Sequence, residues 1–176
     1  MYIPGRLAVG YLASAAVARF RHRSPRIRTE ILPALVGALT PDLVDKVLYL
    51  LELYEHSRAA GHSAFILLGL TLGWLVLRRL GIRWALPFGM WVLGIASHFA
   101  ADLANDLIGG LSHHSRAFST WFAWPLMTPS DWEFRFDSTL LPDLYGVTVL
   151  EIMAVALAAA LAVRMHWAGP ARKASS

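Results

Sequence analysis

Gly37-Ala38-Leu39-Thr40-Pro41-Asp42-Leu43-Val44-Asp45-Lys46 lies inside an otherwise apolar run that extends from Ile31 to about Tyr54. Two carboxylates and an ammonium in the middle of such a run are tolerated where they face the interior of a protein, not its lipid surface. Pro41 has no amide N–H to give and disrupts a helix, so the stretch reads as a membrane segment broken at Pro41. Its N-terminal half-helix end beyond the proline is a favourable place for anions. Charges of this kind need partner segments around them. The fold class that follows is all-α, a polytopic membrane helical bundle of about five segments.

The rest of the chain supplies those partners. Apolar segments run from Leu7 to Phe20, His62 to Leu77, Trp84 to Ile108 and Leu141 to Val163. The last two are long enough to cross a bilayer, which takes about 20 residues. The first and third are shorter and need flanking residues or local thinning. Ala13-Ser14-Ala15 has a faint likeness to a signal-peptidase site, but the apolar run before it is short, so a retained first helix is expected. Residues 1–167 read as a single membrane-embedded domain, and 168–176 as a mobile cytoplasmic tail.

Composition agrees. The 176 residues are 56% hydrophobic and 16% charged, with a mean hydropathy of +0.49; soluble domains are about a quarter charged. The absence of cysteine excludes disulfides and thiolate metal sites. The net charge of +4 comes from clusters beside apolar segments, with no basic stripe interleaved with aromatics, so no nucleic-acid partner is expected. Arg19, Arg21, Arg23, Arg26 and Arg28 follow the first segment. Arg78, Arg79 and Arg83 separate the third from the fourth, and Arg164, Arg172 and Lys173 follow the fifth. Five alternating crossings put all three clusters on one side, which the positive-inside rule makes cytoplasmic. The expectation is an inner (plasma) membrane protein with its N-terminus outside and its C-terminus in the cytoplasm.

Three stretches carry ionisable groups into apolar surroundings: Asp42 with Asp45, Gly61-His62-Ser63, and Ser97-His98-Phe99-Ala100-Ala101-Asp102 followed by Asp106. Asp42 and Asp45 share one helix face, and His98, Asp102 and Asp106 share another. At a rise of about 1.5 Å per residue, Asp42, Asp45, His62, His98 and Asp102 fall within a slab about 12 Å deep. An ionised Asp near the bilayer centre costs about 2.5–3.5 kcal/mol. A divalent cation offsets two such charges at once and takes imidazoles as further ligands. Carboxylate with imidazole suits Zn²⁺, Mn²⁺ or Fe²⁺ better than Ca²⁺ or Mg²⁺, with Zn²⁺ or Mn²⁺ favoured. For any single residue, a buried hydrogen-bond network is the competing account, and Asp45 with Lys46 also reads as a simple buried pair. Ser63 reads as a local hydrogen-bond partner.

At these residues the sequence resembles the YdjM-like family of inner-membrane proteins, described as membrane-bound metal-dependent hydrolases. The resemblance rests on Gly37 to Lys46, Arg58 through Ser63, Ser97-His98 through Asp102, and Trp124-Pro125-Leu126, in that order, and covers about residues 5 to 130. It implies that Asp42, Asp45, His62, His98 and Asp102 line a metal site and that Trp124-Pro125-Leu126 closes its outer rim. The chain departs from the family in its first segment: members often carry a His there, and here the neighbourhood holds Arg6.

The function expected from these readings is metal-dependent hydrolysis of an ester or phosphoester of a lipid-like substrate through a metal-activated water. Asp45 is expected as a ligand or general base, and Asp106 as a group that orients a ligand. Membrane lipid is the expected surrounding partner. Two other classes remain open at this point: a small ion or proton-coupled transporter, because intramembrane Asp and His chains also mark such pathways, and a non-catalytic membrane scaffold.

Overall fold

A computed structural model describes residues 3–53, 60–113 and 147–167, together with Pro125. Five α-helices account for most of these residues: α1 (Ile3–Phe20), α2 (Leu32–Leu50), α3 (Ala64–Arg79), α4 (Ala85–His113) and α5 (Val147–Trp167). A π-helical turn, Ile27–Ile31, leads into α2, and a short 3₁₀ turn, Ala60–His62, precedes α3. The described residues contain no β-strand, as the all-α expectation requires. The expected cytoplasmic tail and the Trp124-Leu126 rim fall outside the described residues, Pro125 excepted.

The centre is a three-helix contact among α1, α2 and α4; α3 packs on α4, and α5 on α1. Small residues make the contact close. A Cβ on Gly94 would meet the Ala34 carbonyl oxygen at 2.1 Å, and one on Gly37 would meet that of Trp91 at 2.1 Å. Gly10 of α1 approaches Ala34 and Ala38 in the same way. Ala8, Ala18, Ala34 and Ala38 are buried between the backbones, with Met90, Val92, Ile95 and Phe99 around them. Packing of small residues is how helices associate where lipid removes the hydrophobic drive between them.

Many of the larger apolar side chains point the other way. Phe65, Ile66, Leu68, Leu72, Leu75 and Val76 of α3 are exposed, as are Ile152, Met153, Leu157 and Val163 of α5. Among the described residues one stretch, Ala85–Ala104 in α4, is long and apolar enough to cross a membrane by length and composition. The apolar stretch described in α5, Ile152–Arg164, is shorter.

The expected break at Pro41 is corrected: α2 is one helix from Leu32 to Leu50 with Pro41 inside it. An interior proline costs about 3 kcal/mol through its missing bond and its clash with the carbonyl four residues back. Here that carbonyl belongs to Gly37, whose segment is clamped against α4. Thr40 adds bonds on either side, donating through Oγ1 to Val36 O at 2.8 Å and accepting from Trp91 Nε1 at 3.0 Å. Packing on both sides of the proline therefore outweighs its local preference.

The basic turn between α1 and α2 is organised around Glu30, which is fully buried. Arg23 reaches it with both terminal nitrogens, Nη1 to Oε2 at 2.8 Å and Nη2 to Oε1, and the Arg26 amide donates to Oε2 at 2.9 Å. The hydrogen-bonded Arg23 holds the Glu30 carboxyl below its ordinary value of 4.5, against the opposing effect of burial. α3 closes with Arg78 and Arg79 in its last turn, where cations favour the helix dipole. Gly81, at φ +67°, then takes the left-handed conformation that turns the chain toward α4.

Three outcomes are expected. Gly94→Ala forces α4 away from the α2 backbone and should lower stability by about 1–3 kcal/mol in denaturant unfolding of detergent-solubilised protein. Gly69→Ala, with nothing within 4 Å of the new Cβ, should leave it unchanged or raise it slightly. Because the folded Glu30 carboxyl is depressed, its contribution is complete above pH 4.5 and is lost as pH falls through the lower folded value. Glu30→Gln should therefore lower Tm at neutral pH and narrow its gap from wild type below pH 4.5; a gap independent of pH would contradict this account.

Candidate metal centre

Four elements deliver the ionisable residues to one place. α2 brings Asp42 and Asp45 on one face, and the 3₁₀ turn brings His62. α4 brings His98 and Asp102 one turn apart, and the first turn of α1 brings Arg6. Arg6, Asp45, His62, His98 and Asp102 are all buried, with residue exposures of 5% or less. Asp42 is the more open member, its side chain 28% exposed.

The hydrogen bonds fix how each imidazole is turned. His98 Nδ1 lies 2.7 Å from the Ala38 carbonyl oxygen. A carbonyl can only accept, so Nδ1 carries the hydrogen and Nε2 of the neutral ring presents a lone pair. His62 Nδ1 lies 2.6 Å from Asp45 Oδ2, and a carboxylate accepts likewise. In the neutral ring its Nε2 is then a lone-pair face as well. These two Nε2 atoms stand 3.1 Å apart. Asp102 Oδ2 lies 3.4 Å from one and 3.3 Å from the other, and Asp42 Oδ1 lies 3.6 and 3.8 Å from them.

Two imidazole lone pairs turned toward each other need a proton or a cation between them. Donor atoms about 2.0–2.1 Å from a common tetrahedral centre stand about 3.3 Å apart, which is the spacing found here. The charge count among the described residues points the same way: three carboxylates face one guanidinium. The residues fit a divalent cation. Asp42, His62 and His98 form a group that could hold a metal ion, each offering one ligand atom within 4.8 Å of the others.

Asp45 departs from the expected ligand. Its Oδ2 takes the His62 Nδ1 bond, and its Oδ1 accepts the Gly61 amide at 2.6 Å. With both oxygens so engaged, on the side of His62 opposite Nε2, it supports the imidazole from behind. Gly61 is required for this approach, since a Cβ there would meet the Pro41 carbonyl at 2.2 Å. Lys46 is exposed, so the buried Asp45–Lys46 pair does not form. Asp106 lies on α4, but its side chain is outside the described residues. Ser63 is buried and caps α3, accepting from Ile66 N at 3.4 Å. Phe99 stacks on His62 with ring centroids 5.8 Å apart and walls the site on one side.

A family model described as YdjM inner membrane protein matches residues 1–171. The chain belongs to the YdjM family of inner membrane proteins. The match spans all five helices and every residue of the centre. No curated relative and no solved structure matches the chain.

Asp45→Asn keeps the size of the side chain but weakens the bond that orients His62. Loss of such a supporting bond typically costs 10–100-fold in metal affinity. The expected result is a drop of about that size in Zn²⁺ affinity, read by chelator competition, with helical content retained.

Proposed function

We propose that this protein is a membrane-embedded, metal-dependent hydrolase acting on an ester or phosphoester of a lipid-like substrate. The observation that carries the reading is the pair of imidazole lone pairs, His62 Nε2 and His98 Nε2, turned toward each other 3.1 Å apart between Asp42 and Asp102. His62, His98 and Asp42 would hold the cation, and a three-donor set leaves a position for water or substrate. Zn²⁺ or Mn²⁺ suits these donors. A bound divalent ion lowers the pKa of water and polarises a carbonyl or phosphoryl oxygen. Asp45 orients His62, and Asp102 Oδ2 is placed to accept a proton.

The surroundings support an amphiphilic substrate. The most open side of the centre is Asp42, and next to it Leu43 is 63% and Val44 38% exposed. An acyl chain lying along these residues would bring its polar head to Asp42. The five-segment crossing, with the N-terminus outside and the C-terminus in the cytoplasm, belongs to the same proposal. It is supported by the apolar exteriors of α3 and α5 and by arginines gathered at the α1–α2 turn, the α3–α4 turn and the end of α5.

One observation favours a second reading. Asp102 is as close to the imidazoles as the expected donors are to each other, and a closed four-donor site is the mark of a structural metal. The two readings separate experimentally. Detergent-purified protein should carry about one equivalent of transition metal, and His98→Gln less than about a tenth. The wild type, but not His98→Gln, should hydrolyse p-nitrophenyl phosphate or p-nitrophenyl butyrate in mixed micelles. Metal that raises Tm without any hydrolysis selects the structural centre; metal-free wild type after reconstitution with Zn²⁺ and Mn²⁺ rejects both.

A further inference from the structure

Asp42 and Asp102 reach the imidazole pair from different helices, and each divides its two oxygens in the same way. Asp42 turns Oδ1 toward the two Nε2 atoms, while its Oδ2 is paired with Arg6 Nη1. Asp102 turns Oδ2 toward the same two atoms, while its Oδ1 stands 3.9 Å from Arg6 Nη2. One guanidinium thus lies on the outer oxygens of both carboxylates. It comes from the first turn of α1, on a residue only 5% exposed.

A guanidinium stays charged under all ordinary conditions, and its planar fork suits two oxygens at once. Behind Asp42 and Asp102 it does two things of opposite sign. In the metal-free protein it offsets part of the repulsion between carboxylates that α2 and α4 force together. In the metal-bound protein it is a like charge a few ångströms from the cation, and at that range the repulsion is substantial even with partial screening.

We propose that Arg6 is the resident counter-cation of the centre, a positioning residue that joins Asp42 to Asp102 when no metal is bound and weakens the centre's grip on a divalent ion when one is. The proposal rests on the metal reading above for its second half only. It makes the metal exchangeable, since part of the charge balance stays with the protein after the ion leaves.

The experiment uses full-length protein in detergent, stripped with EDTA and titrated with Zn²⁺ against a chromophoric chelator, with Tm measured before and after. Arg6→Gln should lower the metal-free Tm yet bind Zn²⁺ at least about tenfold more tightly than wild type. Arg6→Lys, which keeps the charge but not the planar fork, should stay within about threefold of wild type in affinity, because the effect on the ion is that of the charge. A merely structural role would weaken both readouts together; Arg6→Gln binding Zn²⁺ as wild type does, or less tightly, overturns the proposal. If Arg6→Gln is recovered only in buffers containing Zn²⁺, the proposal is supported. If it is not recovered at all, Arg6→Lys decides, and a tenfold departure in its affinity overturns the idea. Should wild type bind no Zn²⁺, the metal reading fails. The metal-free double-mutant cycle of Arg6→Gln with Asp42→Asn then tests the first half alone, where coupled Tm losses support it and additive losses overturn it.

Discussion

The centre depends on how closely α2 and α4 can approach. Gly37 and Gly94 bring the two backbones to a separation that no larger residue permits. At that separation the Ala38 carbonyl comes within hydrogen-bond reach of His98 Nδ1. That one bond selects the ring's tautomer and aims its other nitrogen at His62. A backbone carbonyl inside a helix cannot rotate to suit a side chain, so the direction of His98 Nε2 is set by the fold rather than by local flexibility. The rest of the arrangement follows from it, because His62 and the two carboxylates are placed with respect to that nitrogen.

The other imidazole is held by a different device. His62 sits on a 3₁₀ turn instead of a long helix, and turns are easily displaced. The compensation is Asp45, which grips the turn at two points, the Gly61 amide and His62 Nδ1. The proline in α2 shares in this. Its carbonyl lies where a Gly61 side chain would have to go, so the turn rests directly on the helix backbone. A rigid His98 and a clamped His62 can then keep the two Nε2 atoms 3.1 Å apart, a separation that suits a shared proton or cation.

Ionisable groups share the interior with a small apolar core, while many large apolar side chains cover the exterior. α3 contributes no fully buried residue; Phe65, Ile66, Leu68, Leu72, Leu75 and Val76 lie on the outside, while Trp74 packs against Gly89 of α4. Among the described residues, buried charge falls in two places. The centre is one; the other is the Arg23–Glu30 fork at the α1–α2 turn, where a buried carboxylate is matched by arginine and amide donors. Arginines that the positive-inside rule reads only as topology signals therefore also do local work, tying the end of α1 to the start of α2.

Much of this was legible in the sequence, and what was not has a common cause. Helical spacing placed Asp42 with Asp45 and His98 with Asp102, because a face on a regular helix is fixed by residue number alone. The apolar runs located all five helices to within several residues. Three things escaped. The continuity of α2 through Pro41 depends on the tertiary clamp at Gly37, which no local preference contains. The role of Asp45 depends on which nitrogen of His62 it meets, and spacing cannot tell the near side of an imidazole from the far side. Arg6 was visible only as an arginine where the family resemblance led to the expectation of a histidine. A cation in the first turn of an apolar helix, in a chain with surplus carboxylates at membrane depth, was nonetheless a signal. Intramembrane charges come with partners, and counting the carboxylates against the available cations would have directed attention to it.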